Sequence, residues 1–311
     1  MGRQRAAIPR VIYVAGYGRS GSTVLDTLLG NHPAVFGAGE LTRLFDEWSS
    51  DRSCSCGQGY EDCPFWQEVI GRVRVAFPAL SLAQGGQVTR AVESLPVPLS
   101  VGASRSQRAL YRDLWRAILS AIGEVSDKNI VVDSSKSART CTWRIQRLAQ
   151  IAELDISAIH LVRDPRAVMA SILRGSNRKL EQGQPAALPG GAYRALASWC
   201  ATNALVHVGQ ATSPPMRWVR LRYEEIFGNP IQALHALSGF LELDMTPLID
   251  RILGQRPLDP GHGVGGNRAR RQGPLRLGYD EAWQDELPLY ARRLAWLAWP
   301  LAHRYGYDVF R

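Results

Sequence analysis

Apolar residues recur along this chain in short runs separated by longer stretches with helical spacing. The runs lie near residues 11–15, 34–37, 130–132, 156–162 and 217–222. Runs of this length are typical of strands buried on both faces of a parallel sheet. The stretches between them place apolar residues three and four positions apart, a spacing that predicts helices. We therefore expect an α/β fold with a central parallel sheet of about five strands flanked by helices.

A single domain is predicted over residues 1–311, because α/β folds often reach this length around one core. Three segments depart from the regular pattern. An insertion near 51–66 contains three cysteines, and segments near 78–106 and 174–192 are rich in Gly and Pro and lack periodicity. We expect the last two to be surface excursions and possible lids.

The first apolar run leads directly into a glycine-rich loop, residues 16–23, which is followed by a helical pattern. Glycines permit a tight turn, and the N-terminus of the helix offers free N–H groups and a positive dipole end. This arrangement predicts a phosphate-binding loop of the kind found in P-loop-like folds. Its binding residues are expected to be Gly18, Arg19, Ser20, Gly21, Ser22 and Thr23.

The loop differs from that of nucleoside triphosphatases, whose G-x-x-x-x-G-K-[ST] pattern carries a lysine for the β- and γ-phosphates. Ser22 stands at the position of that lysine, and the cation has moved to Arg19. The loop therefore suits a ligand with a 5′-phosphate and one further anionic group, and no metal is obviously required.

A second candidate anion site follows the apolar run at 156–162. Pro165 suits the first turn of a helix, and Asp164 can cap it. Arg163 and Ser171 can converge on one phosphate, since an arginine binds such a group through two parallel hydrogen bonds. His160 lies within the predicted strand, where we expect a packed core residue and not a catalyst.

Together these motifs resemble those of sulfotransferases that use 3′-phosphoadenosine-5′-phosphosulfate (PAPS). The strand, the G-x-x-[RK]-S-G-[ST]-T loop and the helix resemble the 5′-phosphosulfate loop of that family, and R-[DN]-P-[RK]-x-x-x-x-S resembles its 3′-phosphate motif. The resemblance extends from residue 11 to about residue 271. It implies a P-loop-like transferase that binds PAPS, transfers its sulfonate, releases 3′,5′-ADP and requires no metal.

Glu40 is the leading candidate for a general base, because it follows the second predicted strand and would reach the ligand edge of the sheet. The alternative is a helix cap or an ion pair with Arg43. The resemblance implies the branch of the family with a glutamate base, which acts on tyrosyl or sugar hydroxyls.

Lys136 follows the third predicted strand and resembles the second catalytic cation of the family, beside Arg19; the alternative is a helix-capping turn. Carboxylates of neighbouring Asp46 and Glu47 are expected to be solvated.

Further nucleotide contacts are implied by the resemblance. Tyr223, in R-Y-E-x-[LI], corresponds to a tyrosine near the adenine, although it can equally be a packed aromatic residue. Gly266, Asn267 and Arg268 resemble a loop that closes over the nucleotide. Which of Arg268, Arg270 and Arg271 meets the 3′-phosphate stays open.

The formal charge of +9 and the isoelectric point near 9.6 favour an anionic ligand or surface. Two other functions are compatible with this charge, a Mg-ATP-dependent phosphotransferase on the same fold and a non-catalytic polyanion-binding protein. We expect the sulfotransferase, with a hydroxyl of a small molecule, sugar or natural product as acceptor and without a nucleic-acid partner.

Neither a signal-peptide pattern nor an apolar run of membrane-spanning length is present, so a cytoplasmic location is expected. The acceptor and the oligomeric state are not indicated.

The chain has five cysteines, and Cys54, Cys56 and Cys63 lie in one turn-rich segment. An odd number of cysteines in a long chain does not suggest a secreted disulfide framework. Three states are open for the clustered thiols. They are a reduced, locally packed insertion, which we place first, then a redox-dependent disulfide, and then Zn²⁺ with a fourth ligand from elsewhere.

Overall fold

The computed structural model describes residues 7–48, 50, 52–94, 103–136, 143–175, 190–213, 216–266 and 268–310. Five strands form one parallel sheet in the order β2-β3-β1-β4-β5. This confirms the expected α/β fold and parallel sheet. The strands are β1 (Arg10–Ala15), β2 (Val35–Gly39), β3 (Ile130–Asp133), β4 (Ile156–Val162) and β5 (Arg217–Arg222).

Helices connect the strands and cover both faces of the sheet. The α-helices are α1 (Ser22–Gly30), α2 (Leu44–Trp48), α3 (Pro64–Ala76), α4 (Leu82–Glu93), α5 (Arg105–Ser126), α6 (Arg144–Gln150), α7 (Pro165–Leu173), α8 (Gly191–Thr212), α9 (Tyr223–Gly228), α10 (Pro230–Leu241), α11 (Thr246–Leu253), α12 (Trp283–Glu286), α13 (Leu289–Leu294) and α14 (Trp299–Arg304). Among them, none is both long and apolar enough to cross a bilayer.

Side chains of β1 alternate between two buried layers, because successive residues of a strand point to opposite faces. Val11 and Tyr13 pack with α3 and α5 on one face, and Ile12 and Val14 pack with α1 and α10 on the other. All four side chains are buried. The central strand is therefore held from both sides.

The carboxyl end of β1 lies at the topological switch point of the sheet, because β2 and β3 lie on one side of β1 and β4 and β5 on the other. β1 pairs with β3 on one side and with β4 on the other, in register at Val11 with Val131 and Ile156. In open α/β sheets, ligands bind outside the carboxyl ends of the strands at such a point. The loop at 16–23 lies at this position.

The segment near 78–106 is more regular than its composition suggests. It contains α4, which begins at a capping box in which Ser81 and Gln84 exchange hydrogen bonds. Gly85 and Gly86 let this helix pack closely on Phe45, since a Cβ at either position would meet the Phe45 side chain. Its later part, 95–102, and most of the second possible lid, 176–189, lie outside the described residues. The single-domain organisation and the lids stay predictions.

Candidate active site

The loop after β1 adopts a conformation that depends on its glycines. Gly16 and Gly21 have φ of 123° and 89°, in the left-handed region that only glycine enters easily. A Cβ at Gly21 would lie 2.7 Å from ring atoms of Tyr223 and Phe227, so α9 packs directly under the loop. A Cβ at Gly18 would meet nothing within 4 Å, and this side of the loop is open to a ligand.

Polar groups of the loop are arranged for an anion. α1 begins at Ser22 and directs its first backbone N–H groups toward the loop. The Ser20 hydroxyl is buried and finds no hydrogen-bond partner among the described residues. Buried hydroxyls are nearly always hydrogen-bonded, so an orphaned one indicates a missing acceptor.

Arg163 joins the second anion motif to the loop. Its guanidinium donates a hydrogen bond of 3.2 Å to the backbone oxygen of Arg19. Arg19 has φ of 72° and donates in turn to the backbone oxygen of Gly175, at 2.9 Å, beyond the end of α7. Ser171 lies half-buried on α7. Hydrogen bonds thus connect the loop at 16–23 with the Arg163 motif, the two segments that are expected to bind opposite ends of one ligand.

The guanidinium of Arg163 is paired with a carboxylate of the chain itself. It donates to the backbone oxygen and to Oδ2 of Asp280, both at 3.0 Å, and Asp280 also pairs with Arg174 at 2.7 Å. Burial would raise the pKa of Asp280, but hydrogen bonds and charge from the two arginines outweigh it and lower the pKa. Nε of Arg163 is buried without a hydrogen-bond partner among the described residues. The sequence did not indicate Asp280, because no local motif surrounds it.

Tyr223 is 5% exposed and lies beneath this ion pair. The Arg163 guanidinium lies over its ring, 3.9 Å from the centroid, and its hydroxyl accepts a hydrogen bond of 3.0 Å from the backbone N–H of Asp280. Phe227 packs against the same ring with centroids 4.4 Å apart. This geometry favours the packed aromatic residue over the adenine platform. His160 is also packed, as expected; burial lowers its pKa to about 4, and its ring bonds Asn203 at 2.9 Å.

Glu40 and Lys136 form an ion pair at the carboxyl edge of the sheet. Lys136 Nζ contacts Oε1 of Glu40, and Arg43 lies 3.3 Å from Oε2. Both side chains of the Glu40–Lys136 pair are mostly buried, at 12% and 15% exposure. The Lys136 backbone N–H donates to the Val14 carbonyl at 3.2 Å, which places this pair beside the end of β1.

Charge dominates the titration of Glu40. Burial alone would raise the pKa of its carboxyl, but the Lys136 ammonium and the Arg43 guanidinium more than compensate, so the pKa lies below the ordinary 4.5. Glu40 is therefore ionised in the unliganded protein at neutral pH. A base that is held by two cations is weak until one of them moves away.

A buried charge network positions the Lys136 turn. Asp133, at the end of β3, accepts hydrogen bonds from the backbone N–H of Ser135, at 3.0 Å, and from the buried Arg144. Ser135 Oγ in turn accepts from the backbone N–H of Thr42 at 3.0 Å. The network thus ties the loop that carries Lys136 to the loop that carries Glu40.

The expectation for the acidic pair after Glu40 is half wrong. Asp46 is exposed, but the Glu47 side chain is only 2% exposed and forms ion pairs with Arg43 and Arg52. Glu47 faces inward because α2 is a short helix that packs against the core, as burial of Leu44 and Trp48 indicates. Glu47 thereby helps to hold Arg43 beside Glu40.

The chain returns to the site through residues 261–266. A Cβ at Gly266 would lie 3.2 Å from the Thr23 side chain, and one at Gly265 would lie 3.6 Å from Cβ of Glu40. Both glycines have positive φ, 60° and 88° at Gly265 and Gly266. This stretch therefore passes between the phosphate loop and the candidate base. Asn267 lies outside the described residues.

Arg270 is a buried structural residue. It belongs to a 3₁₀ helix at Arg268–Gln272, and its guanidinium pairs with Asp26 on α1. Both side chains have no exposed surface. It also donates to the Thr27 hydroxyl at 3.0 Å. Asp26 and Thr27 thus hold Arg270 beneath α1, while its Nη1 is buried without a hydrogen-bond partner among the described residues. Which of Arg268, Arg270 and Arg271 meets the 3′-phosphate stays open.

Comparison with known proteins identifies the family of the chain and agrees with its fold. A family model described as "Sulfotransferase family" matches residues 9–247. Carbohydrate sulfotransferase 6 of Homo sapiens and carbohydrate sulfotransferase 5 of Mus musculus are each 25% identical to the chain over 43% of its length. The match covers 37% of each relative, so the chain spans little more than a third of their length.

A solved structure shares the fold over nearly the whole chain. It is a sulfotransferase domain from the curacin biosynthetic pathway, with a TM-score of 0.50 and 22% identity, and it covers 97% of this chain and 99% of its own. The fold and the loop define an α/β protein of the P-loop-like class. The chain belongs to the sulfotransferase family, whose members use PAPS.

Proposed function

We propose that this chain transfers the sulfonate of PAPS to a hydroxyl group of an acceptor and releases 3′,5′-ADP. The observation that carries the proposal is the ion pair of Glu40 with Lys136 beside the phosphate loop. A carboxylate and an ammonium next to an anion-binding loop supply a base for the hydroxyl proton and a cation for the departing charge.

The loop at 16–23 and the second anion site, which we call the Arg163 corner and which comprises Arg163 and Ser171, fit this co-substrate. The Ser20 hydroxyl and the Arg163 Nε–H are both donors that lack an acceptor among the described residues, and a doubly phosphorylated nucleotide offers oxygen acceptors to both. Gly18 leaves space at the loop, and the N-terminus of α1 favours negative charge. Gly18 to Thr23 would hold the 5′-phosphosulfate, and Arg163 with Ser171 would hold the 3′-phosphate. Gly266, Asn267 and Arg268 would cover the nucleotide.

PAPS supplies an electrophilic sulfonate whose leaving group is 3′,5′-ADP. Glu40 takes the proton of the acceptor hydroxyl, a contribution worth roughly 10²–10⁴-fold in rate. Lys136, Arg19 and the loop N–H groups stabilise the negative charge that develops on the leaving oxygen, through donors that are already in place before the reaction. No step in this scheme requires a metal ion.

Lys136 has two roles in this scheme, and they succeed one another. Its ammonium holds Glu40 in the unliganded protein. An anionic group at the loop draws the ammonium away from the carboxylate, since opposite charges attract strongly in a partly buried site. Only Arg43 then opposes the effect of burial, so the pKa of Glu40 rises from its value in the unliganded protein and the carboxylate becomes a stronger base. Ligand binding thereby activates the base.

The acceptor is the least defined part of the proposal. The two curated relatives are carbohydrate sulfotransferases, which supports a sugar hydroxyl as the first class to test. Mass spectrometry of sugars, phenols and aliphatic alcohols incubated with PAPS and the protein would identify the class.

Calorimetry with 3′,5′-ADP, with ADP and with ATP–Mg²⁺ tests the proposal without knowledge of the acceptor. We expect 3′,5′-ADP to bind most tightly, because both anion corners are then engaged. Preference for ATP–Mg²⁺ would favour a phosphotransferase. Binding of polyanions that falls with salt and is unaffected by free 3′,5′-ADP would favour a non-catalytic protein.

A further inference from the structure

Three cysteines and a histidine meet beside the candidate active site although they lie far apart in sequence. Cys54 and Cys56 lie on a tight turn closed by a bridge between Ser53 and Gly59, and Cys63 directly precedes α3. His262, 199 residues after Cys63, approaches from the stretch that contacts Glu40 and Thr23. The ligand atoms of these four residues all lie within 4.8 Å of one another.

Four of the six separations between ligand atoms are close to the edges of a tetrahedron around zinc. Bonds of about 2.3 Å to sulfur and about 2.0 Å to nitrogen place two sulfurs about 3.8 Å apart and a sulfur and a nitrogen about 3.5 Å apart. Cys63 Sγ lies 3.7 Å from Sγ of Cys54 and of Cys56. His262 Nδ1 lies 3.3 Å from Sγ of Cys63 and 3.9 Å from Sγ of Cys54.

The backbone around the cluster fixes the positions of the thiols. Cys54 and Cys63 are fully buried. The Cys54 N–H donates a hydrogen bond of 2.8 Å to the Gln58 carbonyl, and the Gly57 N–H donates one of 2.9 Å to the Cys54 carbonyl. Gly57, with φ of 90°, turns the chain directly after Cys56. The turn therefore holds the segment of Cys54 and Cys56 in one conformation.

His262 is held in orientation by its neighbours. Its ring stacks on Phe65, with centroids 5.2 Å apart and planes 11° from parallel. Its carbonyl oxygen accepts a hydrogen bond of 2.7 Å from the Trp66 indole. Phe65 and Trp66 both belong to α3, the helix that Cys63 precedes. One helix thus positions ligands from two distant segments.

We propose that Cys54, Cys56, Cys63 and His262 bind one Zn²⁺ ion at a structural site. Four protein ligands leave no open position, which is the arrangement of structural and not of catalytic zinc. Three sulfurs and one imidazole favour zinc over the hard cations, which prefer oxygen. The three thiols lose their protons to solvent as the metal–sulfur bonds form, and no electron is transferred.

The site would fix the stretch at 261–266 against the base. Next to His262, Gly263 accepts a hydrogen bond of 2.8 Å from the Ser55 hydroxyl. Val264 then exchanges backbone hydrogen bonds with Ala38 and Glu40, each at 2.8 Å. Zinc would therefore join the cysteine insertion to the strand end that carries Glu40, and its loss would loosen the stretch that lies between Glu40 and Thr23.

Metal analysis of the full chain, purified under reducing conditions without added metal or chelator, tests the proposal. We expect about one zinc per chain, and cobalt substitution should produce the absorption of tetrahedral cobalt–thiolate coordination. Zinc affinity should fall more than about 100-fold in His262→Ala, since even residues behind metal ligands contribute 10- to 100-fold. Cys200→Ser is the matched control, because this half-buried cysteine lies on α8, outside the cluster. It should retain zinc.

His262→Cys guards against loss of folding, because a fourth thiolate preserves a tetrahedral site and should retain the metal. Three results would overturn the proposal. The first is a reduced wild-type protein that neither contains zinc nor takes up Zn²⁺ or Co²⁺. The second is a disulfide between two of the three cysteines in freshly purified protein. The third is a His262→Ala protein that binds zinc as tightly as the wild type. None of these measurements depends on sulfotransferase activity.

Discussion

Arg163 donates a hydrogen bond of 3.0 Å to the carboxylate of Asp280, which lies 117 residues later in the chain. The arginine proposed to bind the 3′-phosphate is therefore paired with an internal carboxylate in the unliganded protein. A 3′-phosphate bound by this guanidinium, as proposed, would compete with Asp280 for the hydrogen bonds of Nη2.

Asp280→Asn should bind 3′,5′-ADP more tightly, because the competing charge is gone. Partly exposed ion pairs are worth at most about 1 kcal/mol, so the gain should be up to about fivefold. Calorimetry at low and high salt would measure it, and the gain should shrink as salt rises. Glu281→Gln removes an exposed neighbouring charge and is the control. Unchanged or weaker binding by Asp280→Asn would contradict the competition.

Arg163→Lys should weaken 3′,5′-ADP binding about tenfold or more. Lysine keeps the charge but loses the planar fork that binds phosphate through two hydrogen bonds, and bonds to charged groups are worth about 1.5–3 kcal/mol. Arg220→Lys is a matched control on β5, where the guanidinium lies over Tyr305, 4.8 Å from the ring centroid. Equal affinities of the two variants for 3′,5′-ADP would show that Arg163 does not bind the nucleotide.

Glu40→Gln should reduce turnover roughly 10²–10⁴-fold while 3′,5′-ADP binding changes little, because the amide has nearly the same shape but cannot take a proton. Turnover is measured as label transferred from PAPS, and binding by calorimetry. Asp46→Asn, an equivalent change on an exposed carboxylate, should leave both unchanged. Wild-type turnover in Glu40→Gln would show that the base lies elsewhere.

Lys136→Met should move the acid limb of kcat/KM for PAPS to higher pH. In the wild type the pKa of Glu40 lies below 4.5, so the active carboxylate, and the stability of its ion pairs, are lost only as pH falls below that value. Without the ammonium, burial raises the pKa, and protonation begins at higher pH. The position of the limb is the diagnostic quantity, since the rate falls in any case. A limb that does not move would mean that Lys136 does not control Glu40.

Arg270→Met should lower the free energy of unfolding by about 3–5 kcal/mol, because it leaves the buried Asp26 carboxylate without its partner. Denaturant titration would measure the loss. The double variant Asp26→Leu with Arg270→Met should recover much of it, since two apolar side chains leave no buried charge. A single variant as stable as the wild type would mean that the pair adds nothing.

Local sequence was sufficient to predict the strands and the glycine-rich loop after β1. Five apolar runs predicted five strands, and Gly16 and Gly21 indicated the turn whose positive φ angles require glycine. These features depend on residues within a few positions of one another. Helix α4 was not predicted, because Gly and Pro in the segment near 78–106 obscured its spacing.

Sequence by itself determined the class of this protein, because the phosphate loop and the Arg163 motif are each continuous and each backbone conformation follows from neighbouring residues. Tertiary structure alone decided which charges meet. Asp280 with Arg163, Arg270 with Asp26, and His262 with three cysteines are each separated by more than a hundred residues. Packing of the whole chain brings such groups together, and no local pattern encodes that contact. For this reason the competitor for the anion corner and the proposed zinc site emerged only from the folded chain.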